Sequence, residues 1–436
     1  MNIAPETIEE KVLWYAITGT YGFFLLGALY LLAPAMAWIL LLVGLRRLRS
    51  EYAAGGGSVT LALPAAIWVW ITTMCAMQFA LLIAHADFDL GVAQTLKSSI
   101  GWAKGWALLA LFPLIGCMRI RPALLYRAAC VLCAQTLIVL PLCALGYLAG
   151  VPEVLYVSPL LQLGGPGPEF FDVSIYSINP ENGTLRWRLF TPWGPALGFV
   201  GTVYFFLALA EPHRRWRLLG IVGSLAMVVA SGSRLGLLAI PIVLLLSWIL
   251  SGLRRPAAYW SAAAGSVMVA LVGVHLIEFF DTVMQEFHAA RADSSRVRAT
   301  LGRMAIERWA NEAWLWGHGI VEKGPHLVEF MPIGSHHTWY GLLFVKGVAG
   351  FVALAVPMLW SAVELARRAQ HSRHGTVALQ LLLAIFMYTF GENLEILAYL
   401  FWPALVMIGI VLKESARAVR TVAPLPLAQE QQPCRA

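Results

Sequence analysis

Residues 218–250 read LLGIVGSLAMVVASGSRLGLLAIPIVLLLSWIL, and Arg234 is the single charged residue among them. At about 1.5 Å of rise per residue, one helix of this length would run to roughly 50 Å, far beyond the ~30 Å of hydrocarbon in a bilayer. The run must turn back on itself, and SGSR at 231–234 is where polar side chains and a flexible backbone allow it. Two short spans back to back make this a chain that crosses a membrane repeatedly.

The rest of the sequence agrees. Apolar residues fill 59% of the 436 positions and charged ones 13%. A soluble fold of this length cannot hide that much apolar surface, whereas lipid solvates it directly. The stretch Lys11–Leu45 is too long for one span and contains Pro34, which predicts two helices joined near 32–35. Further spans are expected at 61–84, 100–118, 123–149, 191–210, 257–279, 338–363, 376–391 and 394–412. With 216–231 and 235–252 these make an all-α polytopic membrane protein of about 12 transmembrane helices.

Basic residues orient the chain. Clusters lie at Arg46-Arg47-Arg49, Arg119-Arg121-Arg127, Arg214-Arg215-Arg217, Arg254-Arg255, Arg367-Arg368-Arg373 and Lys413-Arg417-Arg420. All fall on one side if every span is real and both termini are cytoplasmic. The expected order is N-terminal helices at 1–149, a non-cytoplasmic loop at 150–190 and central helices at 191–279. A large, partly helical loop follows at 280–337, then C-terminal helices at 338–412 and a cytoplasmic tail at 413–436. The acidic start MNIAPETIEEK lacks the basic region of a cleavable signal peptide, and the Pro- and Gln-rich tail after Arg420 reads as disordered. Nucleic acid is excluded as a partner, since no soluble basic domain exists to carry a groove-binding element. Cys130 and Cys133 form a CxxC inside an apolar run, where packing is a better account than redox or metal chemistry.

Arginines on the translocated side run against the positive-inside bias and call for another reason. Arg186 and Arg188 sit in LRWRLFTPWGP, where the first long loop re-enters the membrane, and Arg234 sits at the break in the apolar run. An arginine at membrane depth is costly unless it is paired or liganded. In the second loop a helix is expected from a cap at Asp293-Ser294-Ser295 to Trp316, closed by Gly317. Arg296 and Arg303, seven apart, share one face of it, with Arg298 near by. A guanidinium matches phosphate with two parallel charge-assisted hydrogen bonds, so these arginines are candidates for an anionic, diphosphate-bearing substrate. The segment 280–335 also carries six basic and seven acidic residues, so ordinary ion pairs compete with that reading.

The GSHHTWYGLLFVKGVAGF stretch at 334–351 places His336 and His337 where the second loop meets the next span. A near-neutral imidazole can take a proton from an attacking hydroxyl, and it can equally satisfy loop carbonyls. His318 lies in the same loop, in WGHG; no HExxH or comparable spacing favours a metal. Glu392 and Glu395, in FGENLEI, flank a short turn on the same face and could cap a helix, orient a histidine or pair with an arginine.

Three motifs together resemble the O-antigen ligase and polymerase superfamily of bacterial envelope glycan assembly. SGSRLG at 231–236 looks like its serine-arginine element, and the run from Ser295 through Arg303 and Trp309 to GHG at 317–319 is similar to its loop-helix signature. His336 followed by Gly347 and Gly350 looks like its histidine-to-glycine motif. The family has Asn, Ser or Gln after the key histidine, where this chain has His337, so His336 and His337 stay interchangeable. Arg186 and Arg188 do too, because LRWRLFTPWGPALG matches an arginine-to-proline element only loosely.

The resemblance, over roughly 185–350, implies a metal-independent, cofactor-free inverting glycosyltransferase in the bacterial inner membrane with a periplasmic active site. It implies transfer of O-antigen from undecaprenyl diphosphate to a hydroxyl of lipid A–core oligosaccharide. Histidine would be the base, Arg186, Arg188, Arg234, Arg296 and Arg303 the diphosphate ligands, and Glu392, Glu395 and His318 the supporting groups. A polymerase acting on lipid-linked repeat units is the nearest alternative and a lipid-linked glycan transporter a more distant one. A ligase must admit two lipid-anchored substrates, which predicts a lateral opening beside Arg234 and the histidines.

Overall fold

The computed structural model describes residues 3–53, 63–178, 183–252, 260, 263–267 and 292–418. Most of the span expected at 257–279, Arg254 and Arg255, residues 280–291, and the tail with Arg420 and Cys434 lie outside the described residues.

The N-terminal stretch divides earlier than Pro34. It forms α1 (Ile8–Thr18), α2 (Thr20–Leu25) and α3 (Leu29–Ala53), with Pro34 inside α3. The break falls at Gly27, whose φ is +64° and where a Cβ would lie 2.2 Å from the Ser158 side chain. Ser158 Oγ donates to the Leu26 carbonyl at 3.0 Å, so the approach of the first loop sets the break. In α3 the proline forfeits an amide donor without ending the helix.

A second difference follows α4 (Ala65–Asp87). The gap between the spans expected at 61–84 and 100–118 shrinks to residues 88–90, and the second of them is split into α5 (Gly91–Lys104) and α6 (Leu108–Gly116) around Gly105. After α7 (Pro122–Leu148) come α8 (Gly194–Leu209), α9 (Arg214–Ala230) and α10 (Arg234–Gly252). The second loop holds α11 (Ala292–Glu312), and the chain closes with α12 (Thr338–Ala369), α13 (Arg373–Tyr388) and α14 (Leu394–Ala418). Asp293, Ser294 and Ser295 lie within α11 rather than before it, and the helix stops short of Trp316.

Among the described residues, seven helices are long and apolar enough to cross a bilayer, counting Gly91–Gly116 as one. The α1–α2 pair, α8, α9 and α13 have no segment beyond 17 residues, below the roughly 20 that a span needs. The chain is an all-α multi-pass membrane protein, and helix length alone does not bear the count of twelve.

Helices α8 and α14 form the centre. The apolar window of α14 is 89% buried, and α8 is buried on nearly every side, as expected of helices that are apolar all round. Small residues let the helices touch. A Cβ on Gly116 would meet the Val406 carbonyl at 2.3 Å, and one on Gly409 the Pro113 carbonyl at 2.0 Å, so α6 and α14 meet backbone to backbone. Cys130 and Cys133 serve the same kind of contact, as buried free thiols against Gly220 and Gly223 of α9.

Four of the basic clusters collect at one end. Glu9 pairs with Arg47, Glu10 with Arg121 at 2.7 Å, and buried Glu211 with Arg127 at 2.7 Å. Lys413 donates to the Cys117 carbonyl, Arg368 to that of Val411, and Arg373 to that of Leu209 at 3.1 Å. These contacts knit four of the six clusters into one face. The long loops and short turns gather at the opposite end. There β1 (Val154–Val157) pairs antiparallel with β2 (Asp172–Ser174), and β3 (Ser177–Ile178) with β4 (Leu185–Arg186).

Candidate functional site

The polar end is built from four turns that sequence places far apart. The chain re-entering the membrane docks on the SGSR turn, the Trp187 amide donating to the Ala230 carbonyl at 3.1 Å. Gly232, at φ +60°, turns the backbone, and the serines complete it. Ser231 Oγ accepts from the Ser233 amide and Ser233 Oγ from the Gly236 amide, both at 3.1 Å. A Cβ on Gly232 would lie 3.7 Å from Arg186 Cγ, and one on Gly194 3.7 Å from Arg186 Cδ. Arg186 and Arg234, 48 positions apart in sequence, are thus brought to one turn.

Arg188 points elsewhere. It is buried, with one guanidinium nitrogen donating to Asp172 Oδ2 at 2.7 Å and another to the Pro192 carbonyl at 2.8 Å. It ties β2 to the re-entrant turn. Asp172 went unremarked in the sequence, because nothing local ties a carboxylate sixteen residues upstream to this arginine.

The two histidines also separate. His337 is the N-cap of α12: its Nδ1 accepts from the Tyr340 amide at 3.3 Å, and its ring stacks on Tyr340 with centroids 3.7 Å apart. The Tyr340 ring also meets Gly302 of α11, where a Cβ would approach to 3.0 Å. His336 instead adopts φ +62° and lines a cavity of about 460 Å³ together with Glu392. A non-glycine residue in this region costs of order 1–3 kcal/mol, and such strain concentrates at functional sites. Burial, and after it the Arg298 guanidinium, holds the His336 pKa down to about 4, so its imidazole is neutral at pH 7.

Glu392 is buried in the turn between α13 and α14. Trp193 Nε1 donates to its Oε2 at 3.0 Å, and Thr338 Oγ1 to its carbonyl at 2.6 Å. Burial pushes its pKa up to about 7, against the opposing pull of Trp193 and Arg298. One cation of α11 therefore acts on both groups. It is not on the face picked out by the seven-residue spacing. Val297, Leu301 and Ala305 bury against Val328, Ile333 and Phe344, which leaves Arg296 and Arg303 exposed on the far side and Arg298 flanking the contact.

His318 and Gly347 explain each other. Gly347, at φ +60° and ψ −162°, breaks the regular path of α12. The 314–319 loop fills the gap. The His318 and Gly319 amides donate to the Phe344 and Val345 carbonyls at 2.9 Å, and the Val348 and Ala349 amides to the Trp314 and Leu315 carbonyls at 2.9 and 3.1 Å. Each of these groups would cost about 1–3 kcal/mol if buried unpaired. The His318 ring lies between Phe344 and Phe88, with Nδ1 3.0 Å from the Phe344 carbonyl and Nε2 2.8 Å from Glu312 Oε2. His318 thus fastens the loop to α12, away from the cavity wall.

Lys346 is the group that sequence reading passed over. It is 2% exposed and lines the same cavity, with Glu395 of α14 as the opposite charge near it. Its signal was present, since a lysine in the apolar run LLFVKGVAG is a functional candidate by default. Beside the cavity, an apolar groove of about 640 Å³ runs between α12 and α13 from His337 and Tyr340 past Met358 and Phe386.

Residues 219–355 match the family model described as O-antigen ligase. The chain is thus similar to O-antigen ligases over less than half of its length. No curated protein matches the chain. The O-antigen ligase match takes in Arg234, Arg298, His336 and Lys346, while Arg186, Trp193, Glu392 and Glu395 reach the same region from outside it.

Proposed function

We propose that this protein is an O-antigen ligase of the bacterial inner membrane, moving glycan from undecaprenyl diphosphate to lipid A–core oligosaccharide on the periplasmic face. The observation that carries the reading is the pairing of a neutral His336 with a buried Glu392 in one cavity, beside the turn that unites Arg186 and Arg234. We assign the diphosphate to Arg186 and Arg234, the electrostatic influence on His336 and Glu392 to Arg298, and a loop-bracing role to Arg188.

In the proposed step the acceptor hydroxyl oxygen bonds to the anomeric carbon as that carbon's bond to the diphosphate oxygen breaks. The electron pair leaves with the diphosphate, and the hydroxyl proton passes to His336 Nδ1 or Nε2. In-line attack inverts the anomeric centre. The arginines accelerate the step only through contacts that tighten as charge grows on the leaving oxygen. A neutral imidazole is free to accept the hydroxyl hydrogen bond, and the arriving anionic donor raises its proton affinity. The groove beside His337 suits a polyprenyl chain entering from the bilayer. A metal has no part in this scheme.

Deleting the gene and profiling lipopolysaccharide tests the reading. Loss of core-linked O-antigen with long glycan retained on undecaprenyl diphosphate is expected. Core capped with single repeat units would make the protein a polymerase, and an unchanged profile would overturn both assignments.

A further inference from the structure

The floor of the His336 cavity is charged in a way the transfer step does not use. Lys346 lies eight residues into α12, roughly 12 Å along its axis from Thr338. It is almost fully buried, and its side chain borders the cavity. Glu395 enters from the first turn of α14, and it fits there because Gly105 breaks α5 from α6: a Cβ on Gly105 would stand 2.6 Å from Glu395 Cγ. Glu395 acts on Lys346 as an opposite charge, yet among the described residues no ion pair within 4.0 Å joins them. Lys346 and Glu395 thus both border the cavity without closing on each other, and the Trp106 indole is the neighbour of the Glu395 carboxyl. Trp106, Trp193 and Phe170 wall the space between, and Asn393 adds an amide.

Charge decides what this space can hold. Three acidic side chains, Glu169, Glu392 and Glu395, border it against one lysine, Lys346, a balance that disfavours a diphosphate. A sugar ring is different. Its hydroxyls need donors and acceptors at several bearings, and its C–H faces pack on aromatic rings. A volume of about 460 Å³ lies within the range of small-molecule sites.

Resting on the transferase reading, we propose that this cavity is a monosaccharide subsite in which Lys346 and Glu395 grip the hydroxyls of one substrate sugar and set its position beneath His336. The sugar is either the first residue of the lipid-linked donor or the accepting residue of the core, and the test separates the two.

The experiment uses the full-length protein in nanodiscs. Hydrogen exchange over residues 342–346 and 393–397 is followed with undecaprenyl diphosphate alone, with undecaprenyl-diphosphate-linked glycan, and with lipid A–core oligosaccharide. Protection is expected from one sugar-bearing ligand and not from bare undecaprenyl diphosphate, and the ligand that protects names the source. Equal protection by bare undecaprenyl diphosphate, or none from any ligand, overturns the subsite. In parallel, Lys346→Gln and Glu395→Gln should raise KM for that same substrate about tenfold with kcat changed less than about threefold. Unchanged KM in variants with wild-type melting temperature also overturns it. Because exchange reads binding without turnover, a protein that binds sugar here but transfers none would refute the ligase reading and leave the subsite standing.

Discussion

His336 and His337 are consecutive residues with opposite fates: His336 lines the cavity beside Glu392, while His337 caps α12 and stacks on Tyr340 at 3.7 Å. The left-handed backbone at His336 accompanies this separation. His336→Ala is expected to lower transfer at least about a hundredfold with the melting temperature nearly unchanged, as loss of a general base does. His337→Ala should cost about 1 kcal/mol of stability through the lost cap, and His337→Asn should restore most of it. A transfer assay and a melting curve on each variant check the division of labour. A hundredfold loss confined to His337→Ala would reverse the assignment.

The acid side of the pH profile follows from His336. Its pKa of about 4 lies below the ordinary 6.5, so the neutral form's contribution is complete above about 6.5 and fades as pH falls towards 4. Glu392 runs the other way. At about 7 against an ordinary 4.5, its contribution is complete below about 4.5 and fades as pH rises through 7. Arg298→Ala removes a cation that disfavours the imidazolium and favours the carboxylate, so both pKa values should rise. The acid limb of kcat/KM then moves to higher pH, which a profile of wild type and variant from pH 4 to 8 would register.

Arg188 and Arg186 should separate by assay. Arg188→Ala leaves Asp172 without its buried partner, at a cost of about 3 kcal/mol, visible as a lower melting temperature. Arg186→Ala should leave melting nearly intact and weaken donor binding about tenfold or more, measured with undecaprenyl diphosphate.

Gly347→Ala places a Cβ 2.3 Å from the Leu315 carbonyl at a φ of +60°, and Gly317→Ala places one 2.4 Å from the Lys346 amide. Both should eject the 314–319 loop from the break in α12. Faster hydrogen exchange at Val348 and Ala349 would report it, with a loss of several kcal/mol in stability. Wild-type exchange at these amides would show that the loop is not what satisfies the helix.

The amino-acid sequence alone establishes a multi-pass helical membrane protein with basic clusters at one end and its long loops at the other. Hydropathy and charge bias are one-dimensional signals, and the 218–250 run carries both. It also picked out the turns that meet, through Arg186, Arg234, His336 and Glu392. What lay beyond it were choices between neighbours of equal chemistry. Arg188 is spoken for by Asp172 and His337 by the amide and ring of Tyr340, while Val297 and Leu301 turn the Arg296 and Arg303 face of α11 away from the buried contact. Those outcomes depend on partners brought together by packing. Tertiary structure alone decided them, since a guanidinium or an imidazole has few hydrogen bonds to give and the fold determines who receives them.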